Sequence, residues 1–391
     1  MKGLGKIFRA LAQSFLNELR LVFSDMGLAV TLLLPAFAYP LLFATAYQKE
    51  VVNDVPTAVV DHSQSPLSWQ LIRMLDATDY VKAVNFSDMA SARDAYYKGE
   101  VRAVFSVPED FEKDILSSEQ TDVTLYADAA YVLPYKQAVK GCLYASQTLG
   151  TGIKVRKLMA KGMPAKAALA TGMPLRFKNF QLFNPAGGYG VYILALLGLA
   201  VIQQTLLMTI GLANGTSNEY RRYRLSREKG TENAPPAIVL LGRALFYTVV
   251  SYILMGFCIG AISKWFDYPA RAHAGELALF LLPFVLACVF FSFAITGRMK
   301  TREQVLFLLT FATLPFLFLS AIPWPTEGSP VWLTALGKLV PSTEAFGGYL
   351  KMNLAGANFN QVSGHWNTLW LIVLLYYMLA LILRQKPGKA G

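Results

Sequence analysis

One short stretch, Glu219–Thr231 (EYRRYRLSREKGT), is densely charged and lies between two long apolar runs. Alternating Arg and Glu side chains on a short helix can form charge-assisted hydrogen bonds with another protein. Gly230, followed by Pro235, would end such a helix cleanly. Two interpretations follow from the residues: a solvated connector whose arginines contact anionic lipid, and a docking surface for a second protein.

Residues that could support catalysis or metal binding are not grouped in this sequence. His62, His273 and His365 are far apart and predicted to lie on loops, so we predict no metal site. The sequence lacks the G-x-x-x-x-G-K-[ST] motif that binds nucleotide phosphates. The segment HSQSP near Asp61 lacks the G-x-S-x-G pattern of serine hydrolases. We therefore predict a chain that is not an enzyme, with no catalytic residues and no bound cofactor.

The composition is typical of a membrane protein. Of the 391 residues, 54% are hydrophobic and only 16% are charged, whereas soluble domains carry about 25% charged residues. Six apolar stretches reach the length of about 17 to 25 residues that a membrane-spanning helix needs. These predicted spans are Leu28–Ala46, Tyr189–Ala213, Ala237–Ser263, Leu277–Gly297, Val305–Ile322 and Trp366–Leu383. A cleaved signal peptide is the competing interpretation of the first run, disfavoured by the length of that run and of the segment before it.

The distribution of Lys and Arg predicts the orientation. The net charge is +11, but residues 48–188 are nearly balanced, so the surplus lies in the short connectors and the ends. The connectors and ends on one side hold 15 Lys and Arg residues, and those on the other side hold 4. Because cytoplasmic loops are enriched in Lys and Arg, we predict cytoplasmic termini and an extracytoplasmic segment 48–188 in a bacterial inner membrane. This distribution also disfavours a nucleic-acid partner.

The long segment between the first two spans alternates strand and helix patterns. β-Branched or alternating runs at Thr57–Asp61, Tyr80–Val84, Val101–Val107 and Asp122–Asp128 are separated by helical patterns, which predicts a small α/β domain. The predicted fold is a polytopic α-helical membrane protein with six transmembrane helices and this domain inserted. The predicted boundaries are 1–27, an amphipathic cytoplasmic helix at the membrane interface; 28–47, the first span; 48–188, the α/β domain; and 189–391, five further spans.

Two features of the last region complete the prediction. The segment 322–365 is apolar but interrupted by Pro323, Pro325, Pro330 and Pro341, which favours short broken helices on the outer side of the membrane. The polar residues within the spans are mostly uncharged, and their default role is to form hydrogen bonds between helices. The candidates for a translocation path among them are Gln203, Gln204, Thr205, Thr310 and Thr313. No carboxylate lies within a predicted span to carry protons, so an energy source outside the chain is expected.

Taken in order, these features resemble the ABC type-2 transporter permeases that carry a large outer domain between their first two spans. The resemblance rests on SREKGTENAPPAIVLLGR, on three successive pieces of the outer segment (TAVVDHSQSPLSWQL, GEVRAVFSVPEDFEKDI and VTLYADAA), and on AIPWPTEGSPVWLTALGKLVPSTEAF. The sequence departs from the family where Glu232 and Asn233 follow Thr231, and where two prolines replace one.

The resemblance implies a permease that exports a hydrophobic or amphipathic substrate together with a second permease half, identical or homologous. It implies separate ABC ATPase subunits, which bind ATP and Mg, docked on residues 219–231 of the cytoplasmic coupling loop 214–235. The residues implied in that coupling are Glu219, Arg221, Arg222, Arg224, Arg227, Glu228, Lys229, Gly230 and Thr231. Membrane lipid and a periplasmic adaptor protein are further candidate partners. The alternative function is a membrane-anchored sensor or scaffold whose outer domain binds a ligand or an envelope partner.

Overall fold

Each of the six predicted spans overlaps a long helix in the computed structural model, which describes residues 2–48, 52–175, 177–184, 188–320 and 328–383. The last two residues of the fifth predicted span lie outside the described residues. Within these residues, six helices are long and apolar enough to cross a membrane. The prediction of a polytopic membrane protein is therefore confirmed. The chain divides into two units: the helical unit, Met1–Glu50 with Gln181–Gly391, and the sheet unit, Val51–Phe180.

The helical unit contains the six candidate spans and several shorter helices. Its helices are α1 Lys2–Ser24, α2 Met26–Ala46, α8 Tyr189–Glu219, α9 Arg221–Glu228, α10 Pro236–Met255, α11 Ile262–Trp265, α12 Ala274–Thr296, α13 Arg302–Leu319, α14 Val331–Gly337, α15 Pro341–Asn353 and α16 Ser363–Leu383. A π-helical segment, Gly256–Ala261, joins α10 to α11, and a 3₁₀ turn, Phe359–Val362, precedes α16.

The core of the helical unit lies around α8 and α12, the two spans with the largest buried share. In α12, Phe280, Phe284 and Cys288 are fully buried. By contrast, α13 exposes Phe307, Phe311 and Phe318 over more than half of each side chain. Large apolar surfaces of this kind need an apolar neighbour, either lipid or another chain.

The sheet unit contains a four-stranded mixed sheet with helices on both faces. Its elements are β1 Val55–Asp61, α3 Pro66–Asp76, β2 Val81–Phe86, α4 Met89–Tyr97, β3 Ala103–Val107, α5 Phe111–Ser117, β4 Thr124–Ala127, α6 Val132–Ala160 and α7 Ala165–Gly172. The strand order is β2-β1-β3-β4; the first three strands are parallel, and β4 is antiparallel to β3.

The central strand β1 shows why this sheet needs helices on both faces. Successive side chains of a strand point to opposite faces. Val59 packs in an apolar cluster with residues of α3, α5 and α6, whereas Ala58 and Val60 pack in a cluster with α4. Burial on both sides explains the nearly continuous apolar sequence of this strand.

The proline-marked segment is described in part. Pro323 and Pro325 lie outside the described residues. Pro330 immediately precedes α14, and Pro341 is the first residue of α15. Both positions suit proline, which lacks the backbone N–H that a first helical turn leaves without an intrahelical partner. Two short helices thus follow each other here, and their depth relative to a membrane stays a prediction.

Candidate functional site

The charged stretch forms a short helix, α9, that connects α8 to α10. Tyr220 adopts an extended conformation, with φ −112° and ψ 113°, which separates α9 from α8. Gly230 has φ +74°, a left-handed conformation that glycine adopts without strain. The Thr231 hydroxyl donates a 2.8 Å hydrogen bond to the Glu228 carbonyl, and Pro236 begins α10. The local sequence therefore sets both ends of α9.

The predicted coupling residues divide into three groups by exposure. Glu219, Arg221, Arg222, Lys229 and Gly230 are exposed, and Arg224 and Glu228 are half-buried. Arg227 and Thr231 are buried.

Two apolar side chains, Tyr220 and Leu225, are more than half exposed beside the exposed cations of α9. Sequence analysis did not select them, although aromatic residues and arginine are enriched at protein interfaces.

Arg227 does not belong to the outward-facing group. Its side chain is 3% exposed and forms a two-pronged contact with the carboxylate of Glu18, which is fully buried. The Arg227 Nε donates to Oε2 at 2.8 Å, and Nη2 donates to Oε1. A guanidinium in this geometry cannot also reach the surface of a partner, so its position supports an internal role rather than a docking contact.

Further polar groups complete this buried cluster, which we call the Glu18 cluster: Glu18, Asn214, Arg227, Arg243 and Tyr247. The Tyr247 hydroxyl donates a 2.9 Å hydrogen bond to Glu18, and the Arg243 Nε lies 3.7 Å from the same carboxylate. The Asn214 side-chain oxygen accepts a 2.8 Å hydrogen bond from Arg227 Nη1. One carboxylate therefore joins α1, α9 and α10, and Arg227 extends the contact to α8.

Electrostatics keep this carboxylate ionised. Burial alone would raise the pKa of Glu18, but the charges of Arg227 and Arg243 and the hydrogen bonds from Arg227 and Tyr247 outweigh it and hold the pKa below its ordinary value of 4.5. Buried charges are tolerated when they are paired and hydrogen-bonded in this way.

The helix α1 was predicted to be an interfacial amphipathic helix, and its position relative to a membrane stays a prediction. Its Leu4 and Phe8 side chains are exposed, whereas Asn17 is buried. The Asn17 amide donates to the carbonyls of Arg227 and Lys229 at 3.2 and 2.8 Å. The helix α1 also approaches α10 closely, since a Cβ added to Gly242 would lie 2.6 Å from the Leu11 carbonyl oxygen.

Sequence analysis missed Glu18, although a signal for it exists. Leu11, Phe15 and Val22 follow helical spacing, and Glu18 lies on that same side of the helix. A lone carboxylate within an apolar helix face indicates a buried partner of opposite charge. The sequence does not indicate which cation that partner is.

A second set of polar contacts connects the ends of α2, α8 and α13 near α9. Arg302 Nη1 lies 3.1 Å from the Asp25 carboxylate, and the same carboxylate caps the first turn of α2. Glu219 Oε2 accepts a 3.1 Å hydrogen bond from the Arg302 backbone N–H. Glu219, a predicted coupling residue, is thus exposed but positioned by α13.

The candidate path residues do not form one cluster, although Gln204 and Thr313 contact each other. The buried Gln203 side-chain oxygen accepts a 2.9 Å hydrogen bond from the Ser342 N–H of α15. Gln204 donates a 2.6 Å hydrogen bond to Thr313, and Thr205 bonds within its own helix to the Ile202 carbonyl. Thr310 is exposed on α13. These contacts fit helix–helix hydrogen bonds, and a role in translocation stays a prediction.

The stability contribution of Glu18 should depend on pH. Its folded-state pKa lies below 4.5, so the contribution is complete above that pH and is lost as the pH falls through the folded-state value. We expect Glu18→Gln to lower the thermal unfolding midpoint by a constant amount near neutral pH, and by less as the pH falls below 4.5. Unfolding midpoints of both proteins in detergent across this range would measure it. A difference that stays the same at low pH would contradict the ionised carboxylate.

Comparison with known proteins adds one match. The family described as ABC-2 family transporter protein has a model that matches residues 26–382. This range holds the first five candidate spans, all but the last residue of the sixth, the sheet unit and α9, and it begins after α1. A search of curated proteins gave no match.

Proposed function

Because the chain belongs to the ABC-2 family of transporter proteins, we propose that it is the permease subunit of an ATP-driven exporter of a hydrophobic or amphipathic substrate. The family implies a partner ABC ATPase subunit, and we place the docking site of that subunit on α9. ATP and Mg would be bound by the partner. The substrate would leave the cytoplasm or the inner membrane.

The observation that carries this proposal is that α9 has an exposed face and one buried side chain, Arg227. Arg221 and Arg222 are exposed with Tyr220 and Leu225, a mixture of cations and apolar side chains that suits protein contacts. Arg227, on the same short helix, is fixed to Glu18 inside the bundle. A force applied to the exposed face therefore reaches α1 and α10 through a charge-assisted, two-pronged contact.

This arrangement suits rigid-body transmission. A buried ion pair holds two elements in one geometry, because separating the charges in an apolar interior is costly. Movement of the docked ATPase would displace α9 and, with it, α1, α8 and α10 as one body. Arg227 would act here as a positioning residue, while Arg221 and Arg222 would contact the partner.

The remaining predictions fit the same proposal. We place α9 and both termini in the cytoplasm and the sheet unit outside the inner membrane, on the distribution of Lys and Arg. A second permease half, identical or homologous, would complete the exporter, and the exposed phenylalanines of α13 offer an apolar surface for it or for lipid. A periplasmic adaptor protein could contact the sheet unit.

Reversing the charge of the exposed cations on α9 should release the ATPase. We expect Arg221→Glu with Arg222→Glu to lower the amount of co-purified ABC ATPase by at least about tenfold, because two charge-assisted contacts become repulsive. The measurement is quantitative mass spectrometry of the full-length protein purified in mild detergent from its native membrane.

The matched control reverses two exposed cations elsewhere in the helical unit, Arg20→Glu with Lys300→Glu. This control should retain the ATPase, and both variants should unfold at the wild-type temperature. An ATPase retained by the α9 variant would move the docking site elsewhere, whereas no ATPase with the wild type would contradict the transporter proposal.

A further inference from the structure

The sheet unit contains a cleft of about 500 Å³ between α6 and the segment that runs from α5 into β4. Its inner wall is formed by side chains of the apolar core, among them Leu71, Phe111 and Leu149, which are almost fully buried. Ile115, Val123 and Ile153 extend this wall outward. The volume lies within the range of about 300 to 1,000 Å³ that small-molecule sites occupy.

Three cations lie along one side of this apolar cleft. Lys154 and Lys157 of α6 and Lys161, which directly follows that helix, all line it at a spacing of three and four residues. Lys157 is positioned by its own bonds, because its ammonium donates to the Ile115 carbonyl at 2.6 Å and to the Ser118 hydroxyl at 3.1 Å. Glu119 is the one carboxylate among the lining residues of this cleft, so the local charge is positive.

The combination of an apolar wall and a cationic rim selects a class of ligand. An alkyl chain gains free energy when it leaves water for an apolar wall, and an anionic head group gains charge-assisted hydrogen bonds from the lysine ammoniums. The aliphatic stems of the lysines lengthen the apolar wall toward the head group. We propose that this cleft binds a single-chain amphiphile with one anionic head group, either a carboxylate or a phosphate monoester.

This inference does not rest on the proposed function. The lining residues all belong to the sheet unit, and binding there requires neither an ATPase nor movement of the helical unit. Failure of the docking experiment on α9 would leave the cleft proposal unchanged, and failure of binding would leave the transporter proposal unchanged.

Two glycines of α6 provide a matched pair of variants. A Cβ added to Gly150 or to Gly152 would meet nothing within 4 Å, so neither backbone position forbids a side chain. Gly150 lines the cleft, whereas Gly152 is not among its lining residues. Both lie inside a helix, where replacing glycine favours the helical conformation. Gly150→Phe should fill the cleft, and Gly152→Phe should leave it open.

The test uses the full-length protein in phosphatidylcholine nanodiscs with a photoreactive diazirine analogue of palmitate. After irradiation, mass spectrometry of peptides locates the adducts. We expect adducts on residues 115–123 and 146–161, a loss of at least about tenfold with Gly150→Phe, and no loss with Gly152→Phe. Adducts confined to other regions, or equal labelling of the two phenylalanine variants, would overturn the proposal.

Charge selectivity is tested separately. Lys154→Glu with Lys161→Glu should reduce cleft labelling about tenfold, whereas Arg156→Glu, an exposed position of the same helix that does not line the cleft, should not. A diazirine alkyl trimethylammonium probe of equal chain length should leave the cleft unlabelled. Equal labelling by this cationic probe would overturn the anionic head group. Unlabelled palmitate and unlabelled hexadecyl phosphate are then compared as competitors. Stronger competition by palmitate indicates a carboxylate ligand and stronger competition by hexadecyl phosphate a phosphate ligand, and either result supports the proposal. Competition by neither compound would overturn it.

Discussion

Replacing Glu18 with alanine is expected to destabilise the helical unit by about 3 to 5 kcal/mol, the usual cost of removing one partner of a buried ion pair. The Glu18 carboxylate is fully buried and accepts hydrogen bonds from Arg227 and Tyr247. Without it, the Arg227 guanidinium keeps its bond to Asn214 but has lost its counter-charge. The cost arises from this buried, uncompensated cation rather than from the lost contact alone.

The buried thiols Cys258 and Cys288 provide the measurement, since both lie in the helical unit. Their reaction with a thiol-reactive dye on heating, located by mass spectrometry, reports when this unit opens. Glu18→Ala should lower that midpoint, and Arg20→Ala, an exposed position of the same helix, should leave it unchanged. Adding Arg227→Met to Glu18→Ala should recover part of the loss, because one buried cation is removed. Equal midpoints for Glu18→Ala and Arg20→Ala would contradict the structural role of the cluster.

Enlarging Gly242 to leucine should separate α1 from α10. The added Cβ would lie 2.6 Å from both the Leu11 carbonyl oxygen and the Ser14 Cβ, so the backbone of α1 must shift. Overpacking of this kind costs about 1 to 3 kcal/mol, and occasionally more. Glu18 lies one helical turn beyond Ser14, so the shift should also weaken its contact with Arg227.

Gly256→Leu is the matched control, because a Cβ at Gly256 meets nothing within 4 Å and the residue continues the same candidate span. Thermal midpoints from the same thiol assay should fall for Gly242→Leu and stay near wild type for Gly256→Leu. Combined with Glu18→Ala, Gly242→Leu should cost clearly less than the sum of the two single changes, because both act on one contact. Full additivity would show that the packing of α1 on α10 at Gly242 and the Glu18 cluster are independent.

The order of the spans, the charged connector and the strands along the chain could be predicted from local sequence patterns. The six spans follow from apolar runs that are long enough to cross a membrane and contain at most one charged residue, and each overlaps a long helix. The ends of α9 follow from Tyr220, Gly230 and Pro236, whose effects act within a few residues of the chain. The strand runs of the sheet unit overlap β1 to β4 because period-two alternation and β-branched residues are local signals.

Neighbouring residues in the sequence do not determine which side chain each charged residue contacts. Arg227 looked equivalent to Arg221 and Arg222 in sequence, and only the packed bundle separates them. Arg227 meets a carboxylate 209 residues away, whereas the other two face outward. In sequence, Lys154, Lys157 and Lys161 likewise look like an ordinary basic stretch. Only the folded structure places them beside the apolar side chains of Phe111 and Leu71.

The sequence by itself thus determined the six spans and the four strand runs, that the chain is a membrane protein, and where its charged connector lies. Hydropathy, side-chain periodicity and turn chemistry are properties of neighbouring residues, so no long-range contact is needed to read them. The tertiary structure alone decided that α1 packs on α10 through Gly242, and that Glu18 joins α1 to α9 and α10. A buried charge is tolerated only where an opposite charge reaches it, and the packing of distant helices determines which one does.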